Sequence, residues 1–506
     1  MRRWIVGLVA AAVMAALALG VPPAAMSQRP GGTLRMGTGV EPLSLDPHHY
    51  RAGGIDLVVI SLVTDGLVWI DRSLKLVPRL AESWEWVDTK TLRFKLRKGV
   101  VFSDGTPWNA EAARLNFERM MKAAEVQGFF GQLAGADVVD DATILLRLKN
   151  PYAPILRNLA APVGGMLSPK AIREQDRTMA RRPVGTGPFV VEEWLPRERL
   201  VLARNPRHWG TPPKLDRIQF RPFPEESTRL LAFHAGELDV IQNPVPSTVK
   251  ALERDQRYQV LRVTQTRNLW MGFKMQDPLV GRNLKLRQAV AHAINRTALV
   301  RLVAEGLAIE ARSFFPTIVI PLPPSAYPYD TSAAKRLLAE AGFAQGVRLQ
   351  LRAPQARYLK DREIAEAIQE QLKVVGIQTD LKIMEWGAFS QDLLKHEGQQ
   401  LWIQGWGFLT GDPDAPRGLL YSGGPFNSFG LRNPRVDSLF DRGTTTLDED
   451  QRKTIYAELD RVLVREEAVV VPIYFQVGFF AITRKVRDLY LHPLELIDVS
   501  TTWLSQ

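Results

Sequence analysis

The chain has 506 residues, 45% of them hydrophobic, with a formal net charge of +11 and no cysteine. A chain of this length buries a large core without staples and is expected to divide into two or more lobes. Lacking cysteine, it has no disulfides and no thiol nucleophile, and no lipid anchor is expected, since a bacterial lipoprotein needs a Cys at its cleavage point. The basic residues are scattered, as in "TLRFKLRKG", and do not gather with aromatics, so no nucleic-acid partner is expected.

The N-terminus reads as a secretory leader. Arg2 and Arg3 precede an apolar run from Trp4 to Leu19, broken by Gly20, Pro22 and Pro23, with small residues Ala25 and Ser27 at cleavage spacing. The run is short for a membrane span, and the arginine pair is not continued into a twin-arginine pattern. Cleavage near Ser27 predicts a mature chain of 479 residues and a soluble periplasmic product.

In "TLRFKLR", Leu92, Phe94 and Leu96 alternate with Arg93, Lys95 and Arg97, the pattern of a half-buried strand. A turn at Asp104 and Gly105 leads into a helix with Ala113, Phe117 and Met120 at helical spacing, and "ATILLRLK" reads as a further strand. In the later half, "TSAAKRLLAEAG" predicts a helix capped by Thr331 or Ser332 and ended by Gly342. "VRLQLRAP" predicts a strand. "DREIAEAIQEQLKVVG" predicts a helix with Ile364, Ile368, Leu372 and Val375 on one stripe, and "IQTDLKI" another strand. Strand, helix and strand in this order form a right-handed crossover between parallel strands, so this half is α/β.

Ligands of open α/β sheets bind beyond the carboxyl ends of the strands. Two segments leave such ends: "APQARYLKD", with Arg357 and Tyr358, and "GWGFLTGDPDAPRG" after the strand "QLWIQ", with Trp406, Asp412 and Asp414. Aromatic faces combined with charged groups suit a small-molecule cleft. The blander alternatives stay open: Trp402 as core, the two aspartates as turn-formers around Pro413, Arg357 as a solvated loop residue.

Several stretches together resemble the extracytoplasmic solute-binding proteins of family 5, which serve ABC importers for peptides, nickel and related solutes. They are "GGTLRMGTGVEPLSLDP", "TDGLVWID", "LAESWEWVDTKTLRFKLRKGVVFSDGTPWNAEAARLNFERM", "GTGPFVVEEW", "LARNPRHWG", "AFHAGELDVI", "LRQAVAHAINRTALV" and the Trp-rich loop, in this order along the mature chain. The resemblance implies a two-lobed periplasmic binding protein fold of type II. Lobe I comprises 28–64, 183–268 and 478–506, with a subdomain inserted at 65–182; lobe II is 269–477. Two hinge strands would cross near "TRNLWMGF", with Trp270, and "VVPIYFQVGFFAIT", with Gln476. It implies a monomer that closes on a small-molecule or peptide ligand and docks on the ABC permease, with no cofactor and no covalent step.

For the ligand cleft, Tyr50, Trp386, Tyr421 and Asn427 join Arg357, Tyr358, Trp406, Asp412 and Asp414 as candidates. In peptide-binding members an aspartate after the loop tryptophan pairs with the ligand's ammonium. Here, counted without gaps, that position is Leu409, and the first acid is Asp412. Either Asp412 is displaced to this task or the ligand carries no free amino group there. No metal site is expected: His48 and His49 are adjacent, and neighbouring side chains of an extended segment point oppositely. An exported hydrolase using Asp412 and Asp414, or an envelope chaperone using the same cleft, are the competing readings. The chain lacks the serine-elbow, zinc and phosphate-loop motifs.

Overall fold

The computed structural model describes residues 31–49, 54–355, 357–395 and 399–505. The leader 1–27 and Tyr50 lie outside them. No helix among the described residues is long and apolar enough to cross a membrane.

The first lobe is built on β1 (Thr33–Thr38) and carries a four-stranded antiparallel sheet of β2 (Ala81–Asp88), β3 (Thr91–Leu96), β4 (Leu133–Asp140) and β5 (Thr143–Leu148), ordered β2–β3–β5–β4. The alternation expected of β3 is realised, with Leu92, Phe94 and Leu96 at most 1% exposed. Helix α1 (Ala110–Lys122) packs on this sheet through Ala113, Phe117 and Met120, and Asn109 caps it by accepting the Ala112 N–H at 3.0 Å. Short helix α2 (Ile155–Ala160) follows.

The main sheet has eleven strands. After β6 (Phe189–Leu195), β7 (Arg199–Arg204), β8 (Arg217–Pro222) and β9 (Val240–Gln242), the chain enters the long β10 (Tyr258–Phe273) and crosses to the second lobe. There α3 (Thr331–Glu340) is followed by β11 (Val347–Gln355), α4 (Asp361–Val374), β12 (Ile377–Glu385), α5 (Trp386–Lys395) and β13 (Leu401–Gly407). Helices α6 (Pro434–Thr445) and α7 (Glu449–Asp460) precede β14 (Val470–Thr483), which returns. The strand order is β12–β11–β13–β10–β14–β9–β1–β8–β7–β6, with Ala308–Glu310 paired to β14 off this path.

The crossover unit forms as the periodicity requires. β11 and β12 are parallel with Val347 opposite Ile377, and Ile364, Ile368 and Leu372 of α4 are fully buried on them. Gly376, at φ 93°, makes the turn out of α4 that an L side chain would strain. The cap of α3 differs from the expected Thr331 or Ser332. Asp330 accepts the Ala333 N–H at 2.9 Å, because only the residue three positions before that donor reaches it. β13 also runs further than "QLWIQ", so Trp406 lies in a strand and not in a loop.

The two lobes have separate cores joined by paired strands. One apolar cluster contains Leu34, Phe94, Phe117, Ile218 and Phe480. Two others contain Leu269, Leu349, Ile368 and Tyr474, and Trp270, Trp402, Tyr456 and Val470. β14 therefore leaves one core after Tyr474 and enters the other by Phe480. Opposite this change, the β10–β14 register slips between Thr264 and Asn268. An irregular ladder between two rigid cores is where backbone torsions change at least cost, which defines the hinge. Gln476 lies at this crossing, its amide donating to Gln265 Oε1 at 2.9 Å. Trp270, expected at the hinge, stands where the β10–β14 register slips a second time, between Leu269 and Trp270, and is fully buried in the second lobe, stacked on Phe429 at 5.1 Å.

Candidate ligand cleft

Between the lobes lies a cavity of about 840 Å³. The first lobe lines it with Glu125, Phe129 and Tyr152, the hinge with Arg267, and the second lobe with Arg357, Tyr358, Trp386, Trp406 and Asp414, among others. One wall is the rim beyond β11. The Asp361 carboxylate, at the start of α4, accepts the backbone N–H of Arg357 at 2.9 Å and of Tyr358 at 3.0 Å, which fixes the rim. The Tyr358 hydroxyl donates to Gly405 O at 3.1 Å, and Trp386 meets the Tyr358 ring edge-on at 5.9 Å. Gly405 is required here, because a Cβ would stand 2.7 Å from both Asn268 O and Tyr358 Cε1.

The Arg357 guanidinium lies over these rings, 5.3 Å from Tyr358 and 5.1 Å from Trp386. Desolvation and the nearby Arg267 charge lower its pKa, yet an arginine so placed stays cationic. Arg267 is paired with Glu495 at 2.9 Å, whereas among the described residues no carboxylate pairs with Arg357.

The opposite wall is the turn after β13. Asp412 is 1% exposed and accepts two bonds from the Arg452 guanidinium of α7, at 2.8 and 3.1 Å. Burial alone would raise its pKa; the Arg452 charge and hydrogen bonds outweigh it and hold the carboxyl below the ordinary range. Asp412, a sequence candidate for ligand contact, thus has its charge compensated from within. Asp414 N–H donates to Asp412 Oδ1 at 2.8 Å, so the turn-forming role is real as well. The Asp414 carboxyl is the less compensated of the two. Its Oδ1 accepts the Thr444 and Tyr456 hydroxyls, each at 2.8 Å, while burial first and the Asp412 charge second push its pKa up to about 7.

Trp406 is half-buried, donating from Nε1 to Ala415 O at 3.2 Å, with Phe426 5.9 Å away. Tyr421 lies under the Arg417 guanidinium at 4.1 Å and lines the cavity. Asn427 is not among the lining residues. Its amide donates to Tyr421 O and Leu431 O, at 3.0 and 2.9 Å, and accepts from Leu431 N–H, so it braces the loop behind the wall. Tyr152, Phe129, Arg267 and Arg417 were not sequence candidates, although Arg267 and Arg417 lay in segments singled out, "TRNLWMGF" and "GWGFLTGDPDAPRG". Nothing local marks Tyr152 or Phe129, which reach the cleft by lobe packing. His48 faces Gly165 O at 3.0 Å, and burial drives its pKa down to about 3; His49 faces Glu125 at 3.1 Å. No cluster of three potential metal ligands occurs among the described residues.

Two α/β lobes, each with its own core, hinged on paired strands around a cleft, define a periplasmic binding protein of type II. The chain belongs to the bacterial extracellular solute-binding proteins, family 5, whose middle-region model matches residues 75–428. It is 28% identical over 432 residues to a glutathione-binding protein of Pectobacterium atrosepticum, covering 82% of this chain and 83% of that one. Among solved structures, it resembles a periplasmic binding protein of Helicobacter pylori in complex with peptide STSA (26% identity, TM-score 0.78, 94% of this chain and 99% of that one). It also resembles a dipeptide-binding protein of Pseudoalteromonas sp. SM9913 in complex with Met-Leu (25%, TM-score 0.79, 94% and 100%).

Proposed function

We propose that the protein is the periplasmic substrate-binding component of an ABC importer and that its solute is a peptide or peptide-like compound. The observation that carries this reading is the Arg357 guanidinium, set in the cleft wall against Tyr358 and Trp386 without a carboxylate partner among the described residues. Such a cation recognises an anionic group, and the rings beside it cover an apolar side chain. A volume of about 840 Å³ suits a ligand of a few residues. The relatives that bind glutathione, STSA and Met-Leu support the class. Leu409 lines the cleft where the resemblance would put an ammonium-pairing acid, so the amino end of the solute is recognised otherwise or is absent.

On this reading the leader is cleaved near Ser27, and the monomeric mature protein closes and docks on the permease. Lobe I is taken as 28–64, 183–268 and 478–506, the insertion as 65–182 and lobe II as 269–477; the apolar clusters support the split between lobe II and the rest, the insertion sharing one cluster with lobe I. Native mass spectrometry of gently purified protein, then melting scans with di- to pentapeptides, amino-blocked peptides, oligosaccharides and nickel, test it. A ligand at a hundredfold excess over Kd stabilises by about 2.7 kcal/mol, and scattering should show a smaller envelope. An unchanged envelope with a stabilising ligand would refute closure.

A further inference from the structure

The tip of the turn after β13 reaches across to the first lobe. Gly411, at φ 63°, forms this tip, and a Cβ on it would stand 3.2 Å from Arg157 Nη1 and 3.5 Å from Leu494 Cδ2. Both neighbours belong to the first lobe, in separate segments of the chain. Beside them, Ala153 N–H donates to Thr444 O of α6 at 2.8 Å, a backbone hydrogen bond between the lobes. On α2, Asn158 lines the cavity, as does Pro154 just before the helix, but Arg157 does not. Its Nη1 is buried and, among the described residues, has no hydrogen-bond partner. Its charge nevertheless helps to hold the Asp412 carboxyl below the ordinary range, after the larger contribution of Arg452.

Within the second lobe, the carboxyl groups of Asp412, Asp414 and Asp441 share two guanidiniums. Arg452 pairs with Asp412, and Arg417 pairs with Asp441 while also acting on Asp414. Arg157 brings a third from the first lobe. We propose that Arg157 and Leu494 form a socket in the first lobe that receives the turn 411–414 on closure, with Arg157 as the positioning residue that supplies a countercharge to its acids. Asp412 and Asp414 then serve the closed state of the protein rather than contact with the solute. The inference rests on the closure of the reading above, not on the class of solute.

The socket is fixed to the first lobe. His492, 2% exposed, accepts the Leu494 N–H on Nδ1 at 3.1 Å and donates from Nε2 to Ile70 O and Asp71 O, each at 3.0 Å. The same turn anchors the hinge strand β10: Pro493 O accepts the Thr266 N–H at 3.1 Å, and Glu495 pairs with Arg267 at 2.9 Å. Leu494 and Arg157 therefore stay with the first lobe while the turn after β13 moves. On opening, Arg157 returns to water and the acids lose its charge, so this attraction belongs to the closed form alone, which is what shifts a population. Nη1 gives up its water without a hydrogen bond in return, which keeps the net gain modest.

The test reads the lobes directly. The chain has no cysteine, so two introduced cysteines carry spin labels without competition. Val139 of β4, 57% exposed, and Val374 of α4, 61% exposed, put one label in each lobe and outside the cavity lining. Distance distributions are recorded without ligand and with Met-Leu, and Met-Leu dissociation is timed by stopped flow. Arg157→Gln should lower the ratio of closed to open protein on the order of tenfold and speed Met-Leu dissociation by about the same factor, with association unchanged. Arg157→Lys, which keeps the charge, should restore most of both. An arginine that only supports the fold would lower the melting temperature in both variants and leave the distances alone.

Distances and dissociation that Arg157→Gln leaves unchanged overturn the inference, as does a loss that Arg157→Lys does not restore. If Met-Leu does not bind, the peptide reading fails, and the ligand-free distances decide alone. A closed population in the native protein that shrinks in Arg157→Gln supports the socket; no closed population, or one that Arg157→Gln leaves intact, overturns it.

Discussion

The two walls of the cleft use the same residue types to opposite ends. At the rim beyond β11, Arg357 faces the cavity with aromatic rings beside it and no carboxylate among the described residues. At the turn after β13, Asp412 is locked by Arg452, and a buried network of Thr444, Tyr456 and Asp414 continues from it. The contrast teaches that a charge in a binding cleft serves a ligand only where the fold leaves it without a partner. A charge whose partner is internal serves the fold, even when both line one cavity.

Arg452→Ala attacks the internally paired wall and has the largest expected effect. It leaves Asp412 buried and uncompensated, which should cost about 3 to 5 kcal/mol of stability in urea unfolding. Arg357→Ala attacks the other wall. It should leave urea unfolding of the free protein nearly unchanged but weaken an acidic ligand by roughly 2 to 5 kcal/mol by calorimetry, because the ligand charge loses its desolvated partner. A binding loss below about 0.5 kcal/mol would place Arg357 among solvated arginines and erase the contrast.

Asp414→Asn sharpens it. The folded-state pKa, about 7, lies above the ordinary carboxyl value, so the protonated form is the one that folding favours. The native protein therefore loses stability from this group as pH rises from about 4 through 7, and is level above. Asn removes that loss, so the variant should gain about 2 kcal/mol on the native protein between pH 5 and pH 8 in melting scans. Asn427→Ala, behind the wall, is the smallest change. Losing its braces to Tyr421 O and Leu431 O should cost about 1 kcal/mol of stability.

Much of the framework was legible in the chain. The alternation of Leu92, Phe94 and Leu96 and the stripe Ile364, Ile368 and Leu372 specify which faces are buried, since each period admits one orientation to a core. Arg357 and Tyr358 were legible because they follow a strand whose carboxyl end opens on the cleft. The burial of Trp270 was not legible, because an apolar extended segment looks the same in a hinge as in a core. The difference lies in Phe429, 159 residues away, which stacks upon it.

The sequence by itself determined the α/β crossover, the two parallel strands and the family, because these depend on local periodicity and on motifs read in order. Only the tertiary structure decided the chemistry of the cleft. Arg452 meets Asp412 forty residues away, Tyr456 meets Asp414 forty-two away, and Tyr152 arrives from the other lobe. A charge's partner and its burial are properties of the packed chain, and together they set how far each ionisable group is shifted from its ordinary pKa.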